Sequence, residues 1–196
     1  MISGVILAAG SSSRMSSTKQ LLPFHGKPIL QHVVDAAFQS ALDEILVVIG
    51  HEEDSLRSAI ELPSKARFIL NMDHEAGLST SLVAALQVAD PLSEAAVILM
   101  GDQPTLSPAV IRTLMANFQE TMMPVVRAEF LDGPGPALLS AGIWPDLMGL
   151  EGDTGARGFI ESNPDLVETV RFDENAPIDV DSDDAYHRLV GEQRDA

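Results

Sequence analysis

Four short, mostly apolar runs, at positions 2–7, 45–49, 66–70 and 95–100, punctuate the first half of the chain. Runs of this length suit strands buried on both faces of a parallel sheet. Between them the apolar positions shift to helical spacing. Ile29, Val33, Ala37 and Phe38 share one expected helix face, and Leu82, Ala85, Leu86 and Ala89 another. Val110, Ile111, Leu114 and Phe118 repeat the period after Ser107-Pro108, a good helix start. Strand–helix alternation predicts right-handed βαβ crossovers and an α/β sheet. After Met122 the pattern loosens. Positions 123–128 and 136–139 read as strands split by a turn-rich stretch at 131–136, 154–162 as a helix and 183–190 as a terminal helix. The chain has neither an internal repeat nor a flexible linker, so its 196 residues are expected to form one domain.

The ends of the expected strands carry the candidate chemistry. Leu7-Ala8-Ala9-Gly10 leaves the first strand and continues through Ser11, Ser12 and Arg14 to Lys19. Ligands of parallel sheets sit beyond strand carboxyl ends, and loop amides there can form an anion-binding concavity. Arg14 and Lys19 add positive charge, one as a fork and one as a point. Neither G-x-x-x-x-G-K-[ST] nor G-x-G-x-x-G is present, which sets aside the P-loop and dinucleotide fingerprints. Gly101-Asp102-Gln103-Pro104 follows the fourth apolar run and puts Asp102 at another strand end, where a carboxylate can hold Mg²⁺ or simply bond its own turn. Asp179 and Asp181 share a face if their segment is extended, a costly pairing unless a cation neutralises it. Asp183 and Asp184 are expected to cap the last helix. Gly152-Asp153-Thr154-Gly155-Ala156-Arg157 forms a loop opening into a helix, suited to a second anionic group or to a plain capped turn.

Charge sharpens this picture. The formal net charge is −17, which argues against a nucleic-acid partner. Against that background residues 1–34 contain no Asp or Glu, while Arg14, Lys19 and Lys27 fall there, a candidate site for a small anion. There is no cysteine, and no apolar run approaches the roughly 18–20 residues that span a bilayer. The amino-terminal segment lacks a signal-peptide pattern. A cytosolic protein with no membrane partner is the expectation.

Taken together and in order, these motifs resemble the MobA-like nucleoside triphosphate transferases of the glycosyltransferase-A superfamily, over nearly the whole chain. Leu7-Ala8-Ala9-Gly10 through Arg14-Met15 and Lys19-Gln20-Leu21-Leu22-Pro23, continued by Gly26-Lys27-Pro28, is similar to the family signature, with Ser16 where a glycine is usual. Residues 71–77 and Ser79-Thr80-Ser81-Leu82 resemble the segment that cradles the nucleobase. Gly101-Asp102-Gln103-Pro104 resembles the metal-binding motif. Gly133-Pro134-Gly135-Pro136 and the 152–157 loop resemble acceptor-side motifs of the branch containing molybdenum cofactor cytidylyltransferases, which the Ala8-Ala9 pair before Gly10 also favours.

The resemblance implies a three-layer α/β/α fold with a mostly parallel, Rossmann-like sheet, that of the nucleotide-diphospho-sugar transferases. Residues 1–105 would form a nucleotide-binding half and 106–196 an acceptor half. It implies CTP, or GTP, bound by Leu7, Ala8, Ala9, Gly10, Ser11, Ser12, Arg14, Lys19, Asn71, Gly77, Ser81, Gly101 and Asp102, with Arg14, Lys19 and Asp102 as the catalytic set. Asp102 with Asp179 or Asp181 would hold Mg²⁺. Gly135, Pro136, Asp153, Gly155 and Arg157 would bind a phosphorylated pterin-type acceptor, and a molybdenum hydroxylase is a further implied partner. Transfer to another phosphorylated acceptor, such as a sugar phosphate or a phospholactate-like group, and a cofactor-delivering chaperone are the alternatives.

Overall fold

The computed structural model describes residues 1–10 and 18–191. Strand β1 (Ile2–Leu7) is followed by a hairpin of β2 (Pro23–Phe24) and β3 (Lys27–Pro28), then α1 (Ile29–Gln39) and β4 (Glu44–Ile49). Helix α2 (Glu53–Ala59), β5 (Ala66–Leu70), α3 (Leu78–Val88), β6 (Ala95–Met100) and α4 (Pro108–Thr121) continue the alternation. The remainder is β7 (Val125–Phe130), β8 (Gly133–Ser140), α5 (Trp144–Leu147), α6 (Arg157–Ser162), β9 (Val167–Arg171) and α7 (Asp183–Gly191).

One seven-stranded sheet runs in the order β5-β4-β1-β6-β8-β7-β9, and a separate two-stranded ribbon holds β2 and β3. β5, β4, β1 and β6 are mutually parallel, β8 is antiparallel to both its neighbours, and β9 is parallel to β7. Helices cover both faces. Leu30, Val33, Val34 and Ala37 of α1 and Val110, Ile111, Leu114 and Phe118 of α4 fill one side. Leu82, Ala85 and Leu86 of α3, Leu147 of α5 and Ile160 of α6 fill the other. This is the expected three-layer α/β/α arrangement. Every residue from Ile45 to Ile49 is fully buried, which explains why this run shows no alternation. Each such side chain contributes about 1.5–3 kcal/mol relative to exposure.

Several details depart from the sequence reading. Phe38 is 49% exposed, with Lys65 Nζ over its ring, because a residue five positions past Val33 is turned about 140° away from it. The turn at 131–136 is shorter than expected: β8 already begins at Gly133. Its prolines are tolerated because β6 pairs only with 137–140 of β8, leaving the start of the strand without a neighbour on that side. The helix at 154–162 is a 3₁₀ turn at Gly152–Thr154 followed by α6. Ser182, rather than the aspartates, caps α7 by accepting from the Ala185 N–H (3.2 Å), while Asp183 and Asp184 occupy the first turn, where they favour its positive end. β9 and α2 carry no continuous apolar run and were not expected. Ser107 caps α4 as predicted, accepting from Ala109 N at 3.2 Å with Pro108 beside it.

The two halves of the chain meet at glycines. Gly77, the residue before α3, has φ 114° and ψ 172°, a region that essentially only glycine occupies. A Cβ there would lie 2.4 Å from the Gly152 carbonyl carbon. Gly155 (φ 53°) approaches Leu78 in the same joint. Gly77→Ala is therefore expected to lower the unfolding free energy by at least about 1–3 kcal/mol in urea titrations. Gly149→Ala, which meets nothing within 4 Å, serves as the near-neutral control.

Candidate active site

The chain leaves β1 to build β4 and β5 on one side, then returns with β6 on the other, so β1 and β6 flank the point where strand order reverses. Crevices at such points take ligands in open α/β sheets. Leu7 and Met100 end the two strands in register, and Gly101 N donates to Leu7 O at 2.9 Å. A Cβ on Gly101 would stand 2.8 Å from Ala8 Cβ and 3.0 Å from Leu7 O, so glycine is what lets the two loops close on each other. Ala8 N is tied to Val48 O on the other side (2.9 Å).

A cavity of about 440 Å³ opens over these ends, with Ala9, Gly10, Lys19, Ser81, Asp102 and Asp181 in its wall. Asp102 is 8% exposed. One of its oxygens, Oδ2, forms an ion pair with Lys19 Nζ, and both side chains are largely removed from water. The other, Oδ1, is buried and has no hydrogen-bond partner among the described residues. An anionic oxygen left so is costly unless a donor or cation meets it.

The segment carrying Asp179 and Asp181 is not a strand, but it is extended against the Asp102 turn. Val180 buries its side chain with Phe24, Ile29 and Leu189, and its N–H donates to Asp102 O at 3.1 Å. The flanking aspartates therefore fall on the cavity side. Asp181 lines the first cavity, and Asp179 accepts from Gln103 Nε2 (2.9 Å) in the neighbouring one. Among the described residues no three His, Cys, Asp or Glu side chains converge as a ready-made metal cluster. Lys19 and Gln103 already hold two of the carboxylates apart. The donor set nevertheless fits Mg²⁺, which commonly takes one or two carboxylates and completes its shell with water and substrate phosphates. Asp102 Oδ1 is the carboxylate oxygen left without a donor among the described residues.

Asn71 is buried but does not line the cavity. Its Nδ2 donates to Thr80 Oγ1 (2.8 Å) and Ser81 Oγ (3.0 Å), and its Oδ1 accepts from Asp73 N (3.0 Å). It braces the start of α3 and positions Ser81, which is in the wall. Gln20, His74 and Glu75 also line the cavity; none was singled out as a site residue, although His74 and Glu75 fall in the 71–77 segment expected at the base. The only sequence signal for Gln20 was its place in the quoted signature. Ser11, Ser12 and Arg14, expected to bind the nucleotide, lie outside the described residues. Lys27 is not in the site. It pairs with Asp35 at 2.6 Å on the surface, and that hydrogen bond raises its pKa.

A second cavity, about 600 Å³, adjoins the first through shared walls at Leu7, Leu78, Met100 and Asp153. Gly135, Pro136, Asp153, Gly155 and Arg157 all border it, so the structure brings the five acceptor-side residues together. Arg157 stands at its mouth, mostly exposed and bonded through Nε to Glu161 (2.7 Å). Arg127 of β7 lines the same cavity and was not anticipated. A charged residue on the same strand face as buried Val125 was the available signal.

Asp179 is exposed as a residue, yet packing strips water from its carboxyl, and this desolvation raises its pKa. Asp102 and Asp181 add to the rise, while the Gln103 hydrogen bond and Lys19 oppose it. A folded-state value above the unfolded one means that stability is lost as pH climbs from the ordinary carboxylate value through the raised one. Without divalent metal, Asp179→Asn is thus expected to melt above the parent protein at pH 7, with the gap shrinking towards about pH 4. Calorimetric scans across that range check this; a pH-independent gap contradicts it.

Comparison with known proteins places this geometry. Residues 4–168 match the family model of the MobA-like NTP transferase domain. The chain is 27% identical to the nicotine blue oxidoreductase of Paenarthrobacter nicotinovorans, across 96% of each protein. The crystal structure of the Rv0371c homologue from Mycobacterium sp. strain JC1 is 32% identical, with a TM-score of 0.89 over 100% of this chain and 98% of that one. Rv0371c of Mycobacterium tuberculosis H37Rv, in complex with manganese, is 30% identical, with a TM-score of 0.85 over 97% and 98%. With the sheet order, the switch-point cavity and the family match in agreement, the chain belongs to the MobA-like NTP transferases and has the nucleotide-diphospho-sugar transferase fold.

Proposed function

We propose that the protein transfers CMP from CTP to the terminal phosphate of a molybdopterin-type acceptor, in the cytosol and with Mg²⁺, releasing pyrophosphate. The observation that carries this reading is the buried Asp102 carboxylate in the wall of the first of two contiguous cavities, with one oxygen on Lys19 and the other without a hydrogen-bond partner among the described residues. The first cavity takes the nucleotide, with Gly10 backbone and Lys19 at the triphosphate and Ser81 towards the base. Arg14 is assigned to the same phosphates. The second takes the acceptor, between Gly135 and Pro136 on one side and Asp153, Gly155 and Arg157 on the other. Residues 1–105 thus supply the nucleotide half and 106–196 the acceptor half.

An oxygen of the acceptor phosphate attacks the α-phosphorus in line, the bond from that phosphorus to the bridging oxygen breaks, and pyrophosphate leaves with the electron pair. The acceptor oxygen is already anionic, so no side chain has to remove a proton. The work of the protein is positioning and charge. Lys19 meets the charge that gathers on the departing group. Asp102, with Asp181 or Asp179, would hold the cation, which when bound neutralises phosphate oxygens. The Ala8-Ala9 pair supports CTP, and the manganese complex of Rv0371c supports a divalent cation.

A second reading has a specific observation behind it: the full-length relative named as a nicotine blue oxidoreductase. The two part cleanly in assay. Pyrophosphate release that needs CTP, Mg²⁺ and molybdenum cofactor supports transfer. Reduction of nicotine blue by an added hydride donor, without nucleoside triphosphate, supports the alternative.

Asp102→Asn keeps a polar partner for Lys19 but removes the anionic ligand, and turnover is expected to fall by about 100-fold or more. Circular dichroism should show an intact fold. Lys19→Ala is expected to lower kcat/KM for CTP by a similar order, and full activity in either folded variant contradicts its assigned role. Removing divalent ions with EDTA is expected to abolish pyrophosphate release, and Mg²⁺ to restore it.

A further inference from the structure

Arg127 lies where the fold has little reason to place a cation. β7 is an interior strand, and Val125, two residues earlier on the same face, is fully buried in the core beneath α3 and α6. Continuing that alternation would call for an apolar residue at 127. The strand instead carries Arg127 and Glu129, joined at 3.2 Å through Nη2. Arg127 Nε is buried with no hydrogen-bond partner among the described residues, so the fork is only half satisfied there. A guanidinium held so at a cavity wall retains capacity for a planar, bidentate acceptor group.

The surroundings give that capacity a direction. Ile98 on β6 is in register with Ala137 on β8, and Ala137 with Arg127 on β7. All three line the acceptor cavity. They form a row that is apolar for two strands and cationic at the third. The strands are spaced about 4.8 Å apart, which puts the Arg127 backbone roughly 10 Å across the sheet from β6, whose end carries Asp102. Beside Arg127 the sheet opens: the pairing of β7 with β8 shifts register between Arg127 and Glu129, so Gly135 and Pro136 together face Ala128. Bulges of this kind recur beside active sites, where they re-aim side chains. Arg157, the other arginine of this cavity, is mostly exposed and paired with Glu161, so Arg127 is the deeper of the two.

We propose that Arg127 anchors the far end of the acceptor: its guanidinium receives an anionic or carbonyl-type group of an elongated molecule whose flat apolar middle lies over Ile98 and Ala137 while its phosphate reaches Asp102. The proposal rests on the transferase reading and narrows its acceptor. A phosphorylated three-carbon unit does not span on the order of 10 Å, the two strand spacings of the row, whereas a phosphorylated fused-ring system does. Glu129 holds the guanidinium in the structure, and a small rotation exchanges that single contact for a two-bond fork on the ligand.

The test uses Arg127→Gln and Arg127→Lys in two assays. In the first, pyrophosphate release is followed with CTP, Mg²⁺ and molybdenum cofactor. Arg127→Gln is expected to raise the acceptor KM by about 10- to 100-fold, the worth of a charged hydrogen-bonded contact. The KM for CTP stays within about twofold, and Arg127→Lys falls between. An unchanged acceptor KM, or an equal rise for CTP, overturns the proposal. In the second, binding of fluorescent pterin-6-carboxylate is titrated without turnover, with glycerol 3-phosphate as the short competitor. Parent binding that Arg127→Gln weakens about tenfold or more, and that glycerol 3-phosphate does not displace, supports it. Equal binding by both proteins, or none by the parent, overturns it. If the first assay shows no acceptor-dependent release from the parent, the transferase reading fails while the second still decides Arg127. Should Arg127→Gln not fold by circular dichroism, Arg127→Lys decides, since losing the fork alone is expected to weaken pterin binding by about threefold or more.

Discussion

A single buried carboxylate organises this molecule's chemistry. Asp102, two residues past β6, has one oxygen on Lys19 and the other without a partner among the described residues, in a place where few charges survive unpaired. Hydrophobic burial elsewhere has to offset that cost, and the largely buried β1, β4 and β6 core around it supplies the means. Such a half-satisfied site is a poor device for stability and a good one for receiving a cation together with an anionic ligand. Lys19 can serve both states. It neutralises Asp102 in the structure, and in the proposed reaction it would meet phosphate once a cation takes the carboxylate.

The topology makes this arrangement possible. Chain reversal between β1 and β6 brings an anion-suited loop and a carboxylate turn to one edge, and Gly101 lets them touch. The second half of the chain then contributes from two directions. β7 and β8 extend the sheet and wall the second cavity, while the segment around Val180 returns to pin Asp179 and Asp181 beside Asp102. α7 holds that segment down through Leu189 and through Tyr186, whose hydroxyl donates to Pro23 O at 2.8 Å. The Gly77–Gly152 joint couples the walls of the two cavities, so a change in one has a short physical route to the other.

Much of this was legible in the sequence because it depends on local pattern. Continuous apolar runs betrayed the buried parallel strands, and Ser107-Pro108 a helix start. The motif order pointed to Asp102, Lys19 and the 152–157 loop. What escaped depended on contacts distant in sequence. The bonds by which Asn71, expected at the nucleobase, braces Thr80 and Ser81 could not be read from its motif. Lys27 counted towards an anion site until the fold turned it to Asp35. β9, at the sheet edge with only partly buried residues, has too little apolar content to announce itself. Arg127 was hidden because a lone arginine in a strand-like run reads as a solvated face until the cavity beside it is seen.

The central claim is that Asp102 and a nucleotide triphosphate together complete a divalent-cation site. Manganese titration followed by electron paramagnetic resonance tests it most directly, since the signal of free Mn²⁺ diminishes as the ion is bound. The account predicts tight Mn²⁺ uptake by the parent protein only when CTP is present, and its loss in folded Asp102→Asn. Equal uptake by that variant with CTP would contradict the account.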